Sequence, residues 1–266
     1  MTGVPETAQP RHLIVTVYGL YARRTGGWLS VAKIISLLAD LGVDEPAVRS
    51  SISRLKRRGM LEPVRRNNVA GYQLSTQAED ILREGDRRIF RRERATLEDG
   101  WLLAVFSVPE SERSKRHTLR TELTRLGFGT TAPGVWIAPA HLAEATENML
   151  RRLGLTGYAE LFHGKHLAFG ELAAKVRLWW DLDQLERLYA DFVSTHGRKR
   201  RRRTDREAFA DYVRLLTDWR RLPYLDPGLP AGLLPAGWIG IRAAETFFAL
   251  QEQLEGPAER HAVTVS

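Results

Sequence analysis

The sequence contains no cysteine among its 266 residues. This absence excludes disulfide bonds, thiolate-held zinc, iron–sulfur clusters and a cysteine nucleophile. It also has no long apolar run: the uncharged stretch 227–241 is interrupted by proline and glycine and is too short to cross a bilayer. The opening residues MTGVPETAQP have no apolar core, so we expect a short disordered leader over 1–10 and not a signal peptide. These features predict a cytoplasmic protein without a membrane partner.

Metal-ligand spacing is missing as well. None of the seven histidines forms a pattern typical of zinc ligands. His163 and His166 are three residues apart, but they follow the last predicted strand of the middle region and have no carboxylate pair nearby. We therefore expect neither a metal site nor a cofactor.

The charge of the chain is concentrated in its first third. Residues 1–95 carry 17 Lys and Arg against 10 Asp and Glu, a net charge of +7. Residues 96–266 carry 23 against 22, a net charge of +1. A charge bias confined to one segment indicates a local surface that binds a polyanion.

The basic first third has the pattern of several helices followed by a hairpin. Asp44 is placed to cap a helix with Pro46 in its first turn, and Asn67-Asn68 is a turn signal between two alternating segments. A capping box at Thr76 predicts a further helix. The predicted elements are helices from 11, over 30–42 and over 44–59, a hairpin over 61–74, and a helix from 76 toward 95.

Strands and helices alternate in the middle of the chain, and helices return after it. The order of elements over 99–170 predicts a ferredoxin-like βαββαβ arrangement, whose last strand is expected at 155–162. Apolar residues at helical spacing then predict one helix carrying Leu178, Trp179, Leu182, Leu185 and Leu188, and a final helix over 242–254. The predicted fold class is α+β.

We divide the chain into six segments on this basis. They are a leader over 1–10, a winged helix-turn-helix over 11–75, a linker helix over 76–98, a ferredoxin-like dimerisation or sensor domain over 99–170, a helical C-terminal domain over 171–256 and a tail over 257–266.

The helix predicted over 44–59 has one apolar and one basic face. Val48, Ile52 and Leu55 form a buried seam, and the rest of the surface has no acidic residue beyond the first turn. Arginine can bind guanine edges in a bidentate manner, and serine permits close approach, so this face is suited to a DNA major groove. The predicted DNA-binding residues on this helix are Arg49, Ser50, Ser53, Arg54, Lys56 and Arg57.

Two more arginines, Arg65 and Arg66, stand beside the hairpin turn, where a wing would meet phosphates or the minor groove. The alternative is that both basic groups are ordinary solvated surfaces. The run at 198–203 is even more basic, and we interpret it as a solvated loop with an auxiliary phosphate contact as the alternative.

Three blocks of the sequence resemble the PaaX family of bacterial repressors. The first domain contains VRSSISRLKRRGML, GYQLS and GDRRIF, the middle contains FSVPESERSKRHTLRTELTRLGFGTTAPGVWIAP, and the end contains LDPGLPAGLLPAGWIG. The resemblance spans about Leu13 to Leu250. It implies a homodimeric repressor of an aromatic, phenylacetate-type catabolic operon. The repressor would bind a palindromic double-stranded operator and be released by an aryl-acyl-CoA such as phenylacetyl-CoA. It identifies no effector-contact residues.

The resemblance maps the family's recognition helix onto 44–58 and its wing onto 61–74. Family members usually carry a Gly-Arg pair just before the tyrosine of the wing, whereas this chain has Ala70-Gly71 before Tyr72.

Two other functions stay open at the level of sequence. The middle region also resembles small ferredoxin-like nucleases, but the position of their metal-binding aspartate is Ser107 here, and a neutral hydroxyl is a poor magnesium ligand. We therefore do not expect an enzyme. The third possibility is an architectural DNA-binding protein without an effector.

Overall fold

A computed structural model describes residues 9–91, 94–167, 169–197 and 204–265. The chain forms two compact units. The first unit combines 1–89 with 192–220 and 242–266, and the second unit combines 90–191 with 221–241. The basic run at 198–203 lies outside the described residues, and the six-segment division made from the sequence stays a prediction.

The N-terminal part of the first unit contains helices and one small antiparallel sheet. Its helices are α1 (Pro10–Val17), continued by a π-helical turn to Ala22, α2 (Val31–Ala39), α3 (Glu45–Arg57) and α4 (Thr76–Phe90). Its strands are β1 (Trp28–Ser30), β2 (Leu61–Arg66) and β3 (Val69–Leu74). The strand order is β1-β3-β2, so β3 is central and pairs antiparallel with both neighbours.

The sequence correctly predicts how α3 begins and which side of it is buried. The Asp44 side chain accepts a hydrogen bond from the Ala47 amide at 2.7 Å and so satisfies one of the free donors at the helix start. Val48, Ile52 and Leu55 are buried as predicted, and α3 packs against α1, α2 and β2. The opposite side of α3 is consequently left to solvent.

The hairpin is also confirmed. Asn67 and Asn68 both have positive φ, 48° and 63°, as the two-residue type I′ turn requires. Arg66 pairs with Val69 next to that turn, and Arg65 pairs with Ala70.

Helix α4 begins at Thr76 as predicted, but its capping residue was predicted wrongly. Ser75, and not Thr76, is the capping residue: its Oγ accepts from the Ala78 amide at 3.1 Å and donates to the Gly59 carbonyl at 2.6 Å. Thr76 is already the first helical residue, and α4 ends at Phe90 instead of continuing toward 95. The cap lies one residue earlier because Ser75 also links the end of the hairpin to the turn after α3.

The rest of the first unit is helical. It consists of the end of α8 (Leu182–His196), α9 (Asp205–Trp219) and most of α11 (Ile239–Thr264). The Trp219 ring stacks on Phe247 at a centroid distance of 4.7 Å and also contacts Phe192. The final helix was predicted to end at Leu254, but it continues to Thr264 with Pro257 inside it.

The second unit is built on a four-stranded antiparallel sheet of order β5-β6-β4-β7. Its elements are β4 (Trp101–Phe106), α5 (Arg113–Arg125), β5 (Gly129–Ala132), β6 (Val135–Pro139), α6 (Ala143–Leu153) and β7 (Ala159–Gly164). Leu102 and Ala104 of the sheet share one core with Leu119 and Leu123 of α5 and Met149 of α6. Strand β7 begins later than predicted, because 156–158 form a 3₁₀ turn.

The helix predicted to carry both Leu178 and Leu188 is in fact two helices. Helix α7 (Leu172–Trp179) ends before α8 begins, and Leu178 is 77% exposed. Trp179 is only half-buried, whereas Trp180 is buried and donates from Nε1 to the Gly127 carbonyl at 2.8 Å. The predicted apolar stripe therefore fails at this break, where Trp180 turns inward in an extended conformation.

The proline-rich segment that follows α10 (Leu222–Leu225) is held by hydrogen bonds to a buried carboxylate. Asp226 accepts hydrogen bonds from the Tyr189 hydroxyl at 2.9 Å and from the Gly228 amide at 2.9 Å.

The described structure combines helices with two antiparallel sheets, which agrees with the predicted α+β class.

Candidate nucleic-acid interface

The outward side of α3 is a continuous exposed surface, which we call the α3 basic face. All six side chains that the sequence placed on it are solvent-exposed. They are Arg49, Ser50, Ser53, Arg54, Lys56 and Arg57. Because the opposite seam is fully packed, this surface is held on a rigid element.

The charge of the α3 basic face increases along the helix. Glu45 is the one acidic residue of α3, and it pairs with Arg49 at 2.7 Å. Arg54 donates to the Ser50 hydroxyl at 3.2 Å. The side chains of Lys56 and Arg57 have no hydrogen-bond or ion-pair partner within the described part of the chain. The last two turns therefore present cations that no carboxylate of the helix neutralises.

The two hairpin arginines are exposed but are held differently. Arg65 donates from Nη2 to the Asn68 carbonyl at 3.2 Å, so it folds back over its own turn. Arg66 donates from Nη2 to the Gly26 carbonyl at 3.1 Å and lies 5.4 Å from the centre of the Trp28 ring. Arg66 is thus fixed across the central strand β3 against residues at the start of β1, whereas Arg65 is held by its contact with the hairpin tip.

Trp28 has a supporting role that the sequence analysis did not predict. Its ring covers Gly71 of the central strand, and its Nε1 donates to the Val64 carbonyl at 3.0 Å. A Cβ atom at position 71 would overlap the Trp28 ring and the Leu29 carbonyl oxygen. An isolated glycine inside a strand pattern is the signal that predicts such a close approach. The Trp28 ring and the Leu29 carbonyl therefore leave no room for a side chain at position 71.

The turn between α2 and α3 is tied to distant helices of the first unit. Asp40, at the end of α2, receives Arg206 Nε at 2.7 Å and lies 2.6 Å from His261 Nε2. The neighbouring Leu41 carbonyl accepts from Arg214 Nη2 at 3.0 Å. These partners stand more than 160 residues away in the sequence, so no local pattern predicts them. They anchor the turn from which α3 starts.

Tyr18 supports the central strand β3 by a hydrogen bond to its backbone. Its hydroxyl donates to the Tyr72 carbonyl at 2.9 Å. Burial raises the pKa of the Tyr18 phenol far above its ordinary value, so the hydroxyl keeps its proton and remains a donor.

Metal-binding groups do not come together in the parts of the chain that the structure describes. No cluster of three or more His, Asp or Glu side chains able to hold an ion occurs there. His163 Nε2 lies 2.8 Å from the Asp99 carbonyl oxygen, so it takes part in a loop contact. Ser107 directly follows β4, and its amide donates to the Tyr158 carbonyl at 3.0 Å. Of the described helices, none combines the length and apolar character needed to cross a membrane.

Comparisons with known proteins match this arrangement of elements to one class, the PaaX-like regulators. The description "PaaX-like protein" matches residues 9–78, "PaaX protein central Cas2-like domain" matches 94–176, and "PaaX-like protein C-terminal domain" matches 180–264. The three matches follow one another along almost the whole sequence. The chain belongs to the PaaX family.

Two relatives illustrate the range of similarity. The chain is 27% identical over 246 residues to the "Transcriptional repressor PaaX" of Escherichia coli (strain K12), covering 88% of this chain and 76% of that protein. A solved structure described as "Uncharacterized protein Rv0674 from Mycobacterium tuberculosis" is 21% identical, with a TM-score of 0.63. The structural similarity covers 96% of this chain and 99% of the other, and it shows a shared fold.

Proposed function

We propose that this protein is a transcriptional repressor that binds double-stranded DNA through α3. The observation that carries the proposal is the α3 basic face: six exposed polar or cationic side chains on a helix whose other side is fixed in a core. The repressor named among the relatives supports the same function. In this proposal α1–α3 and the β1-β3-β2 sheet form a winged helix-turn-helix.

Each group of the interface has its own role. Arg54 and Arg57 lie on the uncompensated end of α3 and read base edges in the major groove. Arg49, Ser50, Ser53 and Lys56 flank them and contact bases or the sugar-phosphate backbone. Arg65 and Arg66 contact phosphates or the minor groove beside the hairpin, and so hold the register of the helix on the duplex.

The operator in this proposal is a palindrome bound by a homodimer. Two recognition helices related by a two-fold axis read half-sites about one helical turn apart, roughly 34 Å or a multiple of it. In this proposal the second unit is a ferredoxin-like βαββαβ domain, which its strand order supports, and it serves as the dimerisation or sensor module. The cytoplasm is the proposed location because the operator is chromosomal.

An aryl-acyl-CoA releases the repressor from its operator in this proposal, and the regulated genes belong to an aromatic catabolic operon. An effector that shifts the coupling free energy by about 1–3 kcal/mol changes operator affinity roughly 5- to 150-fold. We propose a regulator without catalytic activity, because Ser107 supplies no charged oxygen where the resembling nucleases carry an aspartate.

The experiment that tests the function is DNase footprinting of the purified protein on the DNA upstream of its own gene, with and without phenylacetyl-CoA. A protected palindrome that is released by the thioester supports both the repressor and its effector. Protection that phenylacetyl-CoA does not alter supports the proposed repressor function and contradicts the proposed effector. The absence of any protected site contradicts the proposed function.

A further inference from the structure

A half-open groove of about 620 Å³ lies in the second unit, at one end of the four-stranded sheet. It is enclosed by the end of β4, the β5–β6 hairpin and one side of α5. A volume of this size is typical of small-molecule sites in proteins. The lining residues that matter here are Phe106, Ser107, Arg116, Arg120, Thr130 and Trp136.

One wall of the groove is aromatic. Phe106 and Trp136 lie on adjacent strands with their ring centroids 6.5 Å apart and their planes tilted by 34°. Both belong to the packed side of the sheet, so the edge they present to the groove is fixed. A rigid aromatic wall of this kind favours a flat apolar group.

The opposite wall is cationic and comes from α5. Arg116 is held in place, since its Nη2 donates to the Val108 carbonyl at 2.6 Å and its Nη1 pairs with Glu110 at 3.0 Å. Arg120 follows one turn later and is exposed, and its side chain has no hydrogen-bond or ion-pair partner in the described residues. Its guanidinium fork is therefore available for a carboxylate or a phosphate, which it can bind in a bidentate manner.

The polar side chains of the groove favour an anion over a metal ion. Ser107 and Thr130 contribute neutral hydroxyls, and the carboxylate beside the groove, Glu110, is already paired with Arg116. A divalent cation prefers charged oxygen ligands and would be repelled by Arg120. Within the described residues, the groove thus combines the available guanidinium of Arg120, hydroxyl groups and an aromatic wall.

We propose that this groove binds an organic anion with an aromatic group, the ring against Phe106 and Trp136 and the anionic group on Arg120. It is then the effector site of the repressor, and this assignment of a regulatory role rests on the proposed function. Binding itself does not rest on it, because the groove is formed entirely within the second unit.

Isothermal titration calorimetry on the full chain without DNA tests the site, with phenylacetate, phenylacetyl-CoA and coenzyme A alone as probes. The test variant is Arg120→Glu, a change on an exposed helix position. The matched control is Arg125→Glu, on the same helix but outside the groove. We expect at least one aromatic probe to bind, Arg120→Glu to weaken it roughly tenfold or more, and Arg125→Glu to change it less than about twofold.

Three results would overturn the site: no binding of either aromatic probe, equal affinity for both variants, or coenzyme A binding as tightly as phenylacetyl-CoA. Gel-shift measurements with operator DNA separate the two proposals. Operator binding without any probe binding contradicts the groove alone. Probe binding that depends on Arg120, in a protein that binds no operator, contradicts the proposed function and leaves the site in place.

Discussion

His261 Nε2 lies 2.6 Å from Asp40 Oδ2, which joins the last turns of the final helix to the end of α2. Both side chains are largely buried, with 16% and 11% of their surface exposed, and Arg206 binds the other oxygen of the same carboxylate. Asp40 stands four residues before Asp44, the residue that caps α3. This contact therefore stabilises the turn on which the position of the α3 basic face depends.

Replacing Asp40 by alanine is expected to destabilise the protein by about 1–3 kcal/mol, because the largely buried His261 and the more exposed Arg206 lose their shared acceptor together. Urea denaturation followed by circular dichroism measures the change in the free energy of unfolding. The control is Asp80→Ala, which removes an exposed carboxylate paired with Arg83 and is expected to cost less than about 0.5 kcal/mol. Equal destabilisation of the two variants would show that the Asp40 contacts contribute nothing.

Arg54→Ala and Arg57→Ala are each expected to reduce operator binding by about 1–3 kcal/mol and to relax the preference for particular bases. Both residues lie on the later turns of α3, away from Glu45, its one acidic residue. Fluorescence anisotropy with the operator and with single-base variants measures both effects. Arg83→Ala, on an exposed side of α4, is the control and should leave affinity and base preference as they are. Unchanged operator binding in both α3 variants would refute the assignment of α3 as the recognition helix.

Arg65→Ala and Arg66→Ala are expected to weaken binding to all DNA sequences alike. Each should also reduce the slope of log affinity against log salt by about one unit, because one phosphate is no longer neutralised by an arginine.

The structure predicts different effects of these two variants on the stability of the protein. Arg66 contacts Gly26 and Trp28, so its removal should cost about 0.5–1 kcal/mol of stability as well. Arg65 is hydrogen-bonded within its own turn, and its removal should cost less stability. Measuring affinity at several salt concentrations, together with urea denaturation, tests both statements; base-specific effects would contradict them.

Gly71→Ala is expected to destabilise the first unit by about 1–3 kcal/mol, because its methyl group would overlap Trp28 and the Leu29 carbonyl. Gly19→Ala is the matched control, since a methyl group there meets only Leu82 at an ordinary contact distance. That control should be neutral or slightly stabilising. If the two variants unfold at the same urea concentration, the packing of Trp28 on Gly71 is not what stabilises the β1-β3-β2 sheet.

Local chemistry explains which parts of this fold could be predicted from the sequence. The start of α3 and the turn at Asn67-Asn68 depend on residues within a few positions of each other, and both predictions are confirmed. The break between α7 and α8 was missed, because the apolar spacing continues through it although Trp180 turns toward Gly127. The supports of the candidate site, Asp40 and Trp28, could not be predicted, since their partners meet them only in the folded chain.

Folding of the first unit during synthesis depends on contacts between distant parts of the chain. They include the stacking of Trp219 on Phe247 and the 2.8 Å contact between the hydroxyls of Thr16 and Thr217. The first unit uses both ends of the chain, so residues 1–89 leave the ribosome well before the helices that complete their core. At about 5–20 residues per second, that interval is roughly 10–35 s. During this time the nascent N-terminal region exposes apolar surface, and a chain that stops before α11 would lack the packing of its beginning as well as its end.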